Sequence, residues 1–177
     1  MNVKRLDPSH VAEYRGLMLE AFELHPDAFT SSFAERAALP LSWWESRLNQ
    51  EPQPSELVLG AFHDRQLAGI AGLSFELREK ARHKATLFGM YVPSKFRRHG
   101  FGRQLVQAVL VQARLRSGVK IVQLTVTDGN HAAQDLYEQC GFVQFGLEPF
   151  AVAVGDKFVS KVHMWRNIEG RHDDEQV

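Results

Sequence analysis

The residues best suited to chemistry lie in one run, Arg97-Arg98-His99-Gly100-Phe101-Gly102. They precede a stretch in which Leu105, Val106, Val109, Leu110 and Ala113 recur at helical spacing. The first turn of a helix presents N–H groups without partners, and the helix dipole makes that end positive. Gly100 and Gly102 lack a Cβ, so an anion can approach the main chain closely. Lys95, Arg97, Arg98 and Arg103 add positive charge. The run suits a phosphate site; it equally suits a tight turn with a solvated basic face. Two better-known glycine motifs do not fit. A dinucleotide fingerprint needs a third glycine where Leu105 stands, and the Gly-Lys-Ser/Thr of a Walker loop is absent.

A second block runs from Asn130 to Phe142 and reads NHAAQDLYEQCGF. The first run fits Arg/Gln-x-x-Gly-x-Gly/Ala, and the second fits Asn-x-x-Ala-x-x-Leu-Tyr-x-x-x-Gly-Phe. In these blocks, their order and their separation, the chain resembles the GNAT superfamily of acetyl-coenzyme A-dependent N-acetyltransferases. The resemblance covers about residues 57–166, and the first fifty residues match only in layout. It implies an N-acetyltransferase acting on a primary amine of a small molecule or a peptide. The alternative is a non-catalytic acyl-coenzyme A-binding regulatory module. By this resemblance, main-chain groups of Met90, Tyr91 and Val92 bind the pantetheine arm. The amides from Arg98 through His99, Gly100, Phe101 and Gly102 to Arg103 hold the pyrophosphate, Arg97 belongs to the same coenzyme-binding loop, and Asn130 and Ala133 flank the arm.

Acetyl transfer to an amine needs a neutral nucleophile, although an alkyl amine titrates near ~10 in water. It also needs polarisation of the thioester carbonyl and a proton donor for the departing thiolate. Tyr137 matches the family's usual acid. It lies seven residues after Asn130, close to two helical turns, and therefore on the same face. Many members carry a Glu or His midway along the strand before the phosphate loop. Here residues 85–91 hold neither. Glu76 and His83 are the nearest substitutes in sequence. His131 and His163 read as solvated or structural positions. For the acceptor pocket the resemblance points to the segment after the first strand, which offers Glu23, Phe29, Phe33 and Trp44. Carboxylates beside aromatics suit a cation; an acidic helix face over an aromatic core is the plainer reading.

These groups need elements to hold them. Asp7-Pro8 starts a helix that ends at His25-Pro26. Ser42 with Glu45 predicts a capping box and a second helix to about residue 49. Strands are expected over 3–6, 57–63, 66–77, 83–92 and 120–127. A closing hairpin, 142–154 with 157–166, turns at Gly155-Asp156. The strand-helix-strand unit around the basic run implies a parallel pair with a right-handed crossover. The expected fold is α/β, a GNAT-like mixed, twisted sheet of about seven strands flanked by helices, its central parallel strands splayed. One domain over 1–168 and a polar tail over 169–177 are expected.

Composition narrows the partners. The 177 residues carry 24% charged side chains and no net charge, which recommends neither nucleic acid nor an anionic membrane. The single cysteine, Cys140, falls on the apolar side of a helix and reads as a buried thiol. No His/Cys cluster has metal-ligand spacing, so no metal is expected. No signal peptide or membrane-spanning run is evident, and a cytoplasmic protein is expected. Monomer and homodimer remain open.

Overall fold

The computed structural model describes residues 2–169. One seven-stranded sheet has the order β1-β2-β3-β4-β5-β7-β6. Its strands are β1 (Asn2–Arg5), β2 (Glu56–His63), β3 (Gln66–Phe75), β4 (Lys84–Tyr91), β5 (Ile121–Thr127), β6 (Val143–Val154) and β7 (Lys157–Asn167). Between β1 and β2 run α1 (Val11–Leu24), α2 (Phe33–Ala37) and α3 (Leu41–Ser46). α4 (Phe101–Leu115) joins β4 to β5, and α5 (His131–Gln139) joins β5 to β6. Of the expected tail, only Glu169 is described, and its carboxylate pairs with Lys120 Nζ at 2.8 Å. Among the described residues, no helix is long and apolar enough to cross a membrane.

Alternation along the strands divides the core between the two faces of the sheet. Val122, Leu124 and Val126 of β5, with Val162 and Met164 of β7, meet Leu105, Val109 and Leu110 of α4 in one buried cluster. Val58, Ile70 and Tyr91 face the other way, against Tyr14, Met18 and Trp44 of the N-terminal helices. β5 thereby turns Gln123, Thr125 and Thr127 towards the N-terminal helices, and β7 turns Lys161 and His163 to the same side.

Two irregularities prepare a gap in the middle of the sheet. The parallel pairing of β4 with β5 stops after Thr86↔Gln123, although both strands continue. On its other edge, β4 places two residues, Gly89 and Met90, against the single Ala71 of β3 between the Gly72↔Phe88 and Ile70↔Tyr91 pairs. This bulge contains Gly89, whose φ of +57° is open to glycine and strained for other residues. β4 therefore bends away from β5 where the two strands would otherwise pair.

The N-terminal helices depart from the sequence expectation. The capping box forms at Ser32, whose hydroxyl accepts the Glu35 N–H while Glu35 accepts the Ser32 N–H. Ser42 caps nothing. Pro40 is the extended residue before α3 (ψ 157°), so Leu41 opens the helix and Ser42 falls inside its first turn. The helix ends at Ser46 rather than near residue 49.

Candidate active site

The gap between β4 and β5 is a cavity of about 400 Å³. Thr86 to Met90 form one wall and Gln123 to Thr127 the other. Asn130, Ala133 and Tyr137 of the α5 region close one side, and Phe29, Thr30, Lys161 and His163 close the other. Of the residues expected to line an arm, Met90, Asn130, Ala133 and Tyr137 are on the cavity wall. Tyr91 and Val92 are not on the wall. The Tyr91 hydroxyl is 2.9 Å from Glu20 Oε1 of α1, and the Val92 carbonyl accepts from Arg97 Nε at 2.9 Å.

At the head of α4 the main chain is set for an anion. Gly100 is the N-cap with φ +81° and provides no capping side chain. The first helical bond runs from the Gln104 N–H to the Gly100 carbonyl at 3.1 Å. The N–H groups of Phe101, Gly102 and Arg103 precede it and have no helical partner. The Phe101 side chain is buried against Phe96, their ring centres 6.0 Å apart, so only its backbone faces the loop. Arg98 and Arg103 are exposed beside this turn. Arg97 is engaged elsewhere, with Nη2 at 3.0 Å from His25 Nε2. A Cβ on Gly102 would stand 3.1 Å from Leu136 Cδ2 and 3.3 Å from Met90 Cε, at the rim of the cavity.

Tyr137 is buried on the α5 side, its hydroxyl 3.5 Å from Met90 Sδ. Burial, with a smaller push from Cys140, raises its pKa well above that of a free phenol. Tyr137 therefore carries its proton at neutral pH. A thioether is a weak acceptor, so this hydroxyl is not committed to a strong bond. Asn130 is committed, since its side chain accepts the Ala133 N–H at 3.3 Å as the α5 cap.

Glu76 and His83 lie away from this cavity. Both sit beside the beginning of β4, where the Glu76 N–H bonds the Lys84 carbonyl and the His83 carbonyl accepts from Lys120 and Ile121. Glu76 is gripped by Arg78. Hydrogen bonds from the Arg78 side chain and backbone hold its carboxyl down to about 2, which makes it a poor base. His163, read as solvated or structural from sequence, is on the cavity wall. Its Nε2 is 2.8 Å from Glu148 Oε2 on β6. Beside it, buried Lys161 donates to the Ala28 carbonyl (2.9 Å), the Asp27 carbonyl (3.3 Å) and Thr127 Oγ1 (2.9 Å). Desolvation lowers its pKa. The alternation of Lys161 and His163 against Val162 and Met164 is visible in sequence, but not which face meets a cavity.

The acceptor-pocket residues divide. Phe29 lines the main cavity and also a smaller one of about 120 Å³, whose wall includes Trp44. Phe33 is 41% exposed and borders neither, and Glu23 points outward from α1. The charged groups on the smaller cavity are Arg36 and Arg47, and no carboxylate lines it. Among the described residues, no group of three or more His, Cys, Asp or Glu could hold a metal ion.

Known proteins share this fold. The family model "Acetyltransferase (GNAT) family" matches residues 18–142. A [Ribosomal protein bS18]-alanine N-acetyltransferase of Salmonella typhimurium is 31% identical over 119 residues, spanning 64% of this chain and 80% of that protein. Two solved structures share the fold. Ribosomal-protein-alanine N-acetyltransferase from Brucella melitensis superposes with a TM-score of 0.77 at 22% identity, over 94% of this chain and 99% of that one. Salmonella typhimurium yncA, solved with its cofactor acetyl-CoA, gives 0.78 at 19% identity, over 100% and 99%. The family match across most of the chain, with the opened strands and the uncapped head of α4, makes this protein a member of the GNAT acetyltransferase family, an acyltransferase that uses acetyl-coenzyme A.

Proposed function

We propose that the chain transfers the acetyl group of acetyl-coenzyme A to a primary amine of a small molecule or a peptide, with Tyr137 as acid and His163 as base. The observation that carries this reading is the position of both side chains on one cavity between the opened strands. Bound acetyl-coenzyme A supplies the activated acetyl group. The amides from Phe101 to Arg103, with exposed Arg98 and Arg103, hold the pyrophosphate. The arm takes the place of a strand in the gap, as an extended peptide adds to a sheet edge. A β4 N–H at the Gly89–Met90 bulge polarises the thioester carbonyl. His163, oriented by Glu148, takes the amine proton, and the Tyr137 hydroxyl donates to the departing sulfur. Glu76 and His83 are left without a role in this scheme.

The bS18-alanine specificity named for the Salmonella relative supports including a peptide amine among the acceptors. A cytoplasmic setting, with the protein acting as a monomer or homodimer and without nucleic acid, fits the neutral composition. The test is release of free thiol from acetyl-coenzyme A across an amine panel that includes a peptide with N-terminal alanine. Mass spectrometry identifies the acetylated product. Amine-dependent thiol release is expected. Tight coenzyme binding without turnover on any amine would favour the non-catalytic acyl-coenzyme A module.

A further inference from the structure

The smaller cavity adjoins the larger one. Phe29, Thr30, Phe88 and Gly89 belong to both walls, which puts the second space next to an amine held at the β4 bulge. The floor is aromatic. Trp43 and Trp44 stand edge to face at 5.0 Å, and Tyr14 meets Trp44 at 5.6 Å. Phe88 packs over Gly72, where a Cβ would collide with its ring.

Two guanidinium groups lie over this floor. Arg36 is 4.7 Å and Arg47 4.8 Å from the centre of the same Trp43 ring. Arg47 also lies 5.2 Å from the Phe88 ring. Their positions are built in. The Ser32–Glu35 capping box fixes α2, whose last turn carries Arg36, and Arg36 Nη2 donates to Ser31 Oγ at 2.8 Å. Arg47 follows α3 and pairs with Glu56 at 3.3 Å. Among the described residues Arg36 makes no ion pair, and no carboxylate lines this cavity. The site therefore keeps an unbalanced positive charge beside an aromatic surface. A planar guanidinium presents paired donors that match a carboxylate.

We propose that the acceptor is an amine that also carries a carboxylate, which Arg36 and Arg47 bind while an apolar or aromatic portion rests on Trp43 and Phe88. This deepens the acetyltransferase reading and rests on it for the position of the amine. Cationic amines, such as diamines, are disfavoured by the same charges.

The test separates charge recognition from turnover. Binding to the coenzyme A-loaded protein is followed by tryptophan fluorescence with L-phenylalanine against L-phenylalaninamide, and with 5-aminopentanoate against pentylamine and 1,5-diaminopentane. Each set varies the charge on a closely similar body. In at least one set the carboxylate should bind about tenfold or more tighter than its neutral partner, the scale of a charge-assisted hydrogen bond. Arg36→Gln should collapse that ratio towards one, and Arg36→Lys should restore part of it. Equal binding in both sets, or a preference untouched by Arg36→Gln, would overturn the proposal. An aminoalkyl phosphate preferred over every carboxylate would also overturn it, in favour of a phosphorylated acceptor. Carboxylate-selective binding without acetylation of any probe would instead count against the acetyltransferase reading and leave the anion site standing.

Discussion

The Tyr137 hydroxyl of α5 lies 3.5 Å from the sulfur of Met90 at the β4 bulge, across the mouth of the opened sheet. The pair joins the helix of the second sequence block to the strand that feeds the first. It also places a protonated phenol where no strong acceptor competes for it.

Burial of this phenol has a consequence for alkaline stability. The folded-state pKa is raised above the free value of 10.0. The contribution to stability is therefore complete below pH 10 and is lost as pH rises above it towards the folded pKa. Chemical denaturation of wild type and Tyr137→Phe between pH 8 and 11 should show similar stabilities at pH 8 and wild type losing stability relative to the variant as pH rises past 10. A difference independent of pH would contradict the burial of the hydroxyl.

Gly102 sits between the loop and the cavity rim. Gly102→Val must displace Leu136 or Met90, which lie 3.1 and 3.3 Å from the added Cβ, and it crowds the approach to the first-turn amides. Coenzyme A affinity should fall by about tenfold or more, the scale of losing a hydrogen bond to a charged group, while the fold persists. Calorimetry giving wild-type affinity would remove the pyrophosphate assignment.

Lys161 ties the segment before α2 to the sheet through the Asp27 and Ala28 carbonyls. That segment carries Phe29 and Thr30, which border both cavities. Lys161→Met should cost about 1–3 kcal/mol, the range for leaving buried polar groups unpaired, and raise the acceptor KM more than it lowers coenzyme affinity. Wild-type stability and acceptor KM together would show the tie to be dispensable.

His163 Nε2 lies 2.8 Å from Glu148 Oε2, the pair proposed as base and orienting group. His163→Gln should lower kcat by roughly 10²-fold or more, and Glu148→Gln should lower it less. A His163→Gln kcat within about twofold of wild type would assign proton removal to another group or to solvent.

The parts legible in the sequence are those whose physics is local. The α4 head needs glycines and a helical stripe within twenty residues, and the Asn130 cap places Tyr137 by helical spacing alone. The parts not legible depend on register across distant strands. His163 reaches the cavity because β7 pairs with β5 at Thr125↔His163, and Glu148 meets it across a β6–β7 ladder with two register breaks. Neither alignment is encoded near the histidine. The N-terminal helices failed for another reason. Two Ser-x-x-Glu patterns compete there, and the extended backbone of Pro40 put Ser42 inside α3 and left the cap to Ser32. That placement of α2 brings Arg36, rather than Glu23, to the aromatic cavity.

Acetyl transfer as proposed depends most on Tyr137 as the proton donor to sulfur. The decisive comparison is kcat for wild type and Tyr137→Phe with saturating acetyl-coenzyme A and a good amine acceptor, read by thiol release, with melting temperature and coenzyme A affinity measured in parallel. Removing only the hydroxyl should lower kcat by roughly 10²-fold or more while affinity and melting temperature stay close to wild type. A kcat within about twofold of wild type, with pre-steady-state bursts absent so that product release is not limiting, would contradict it.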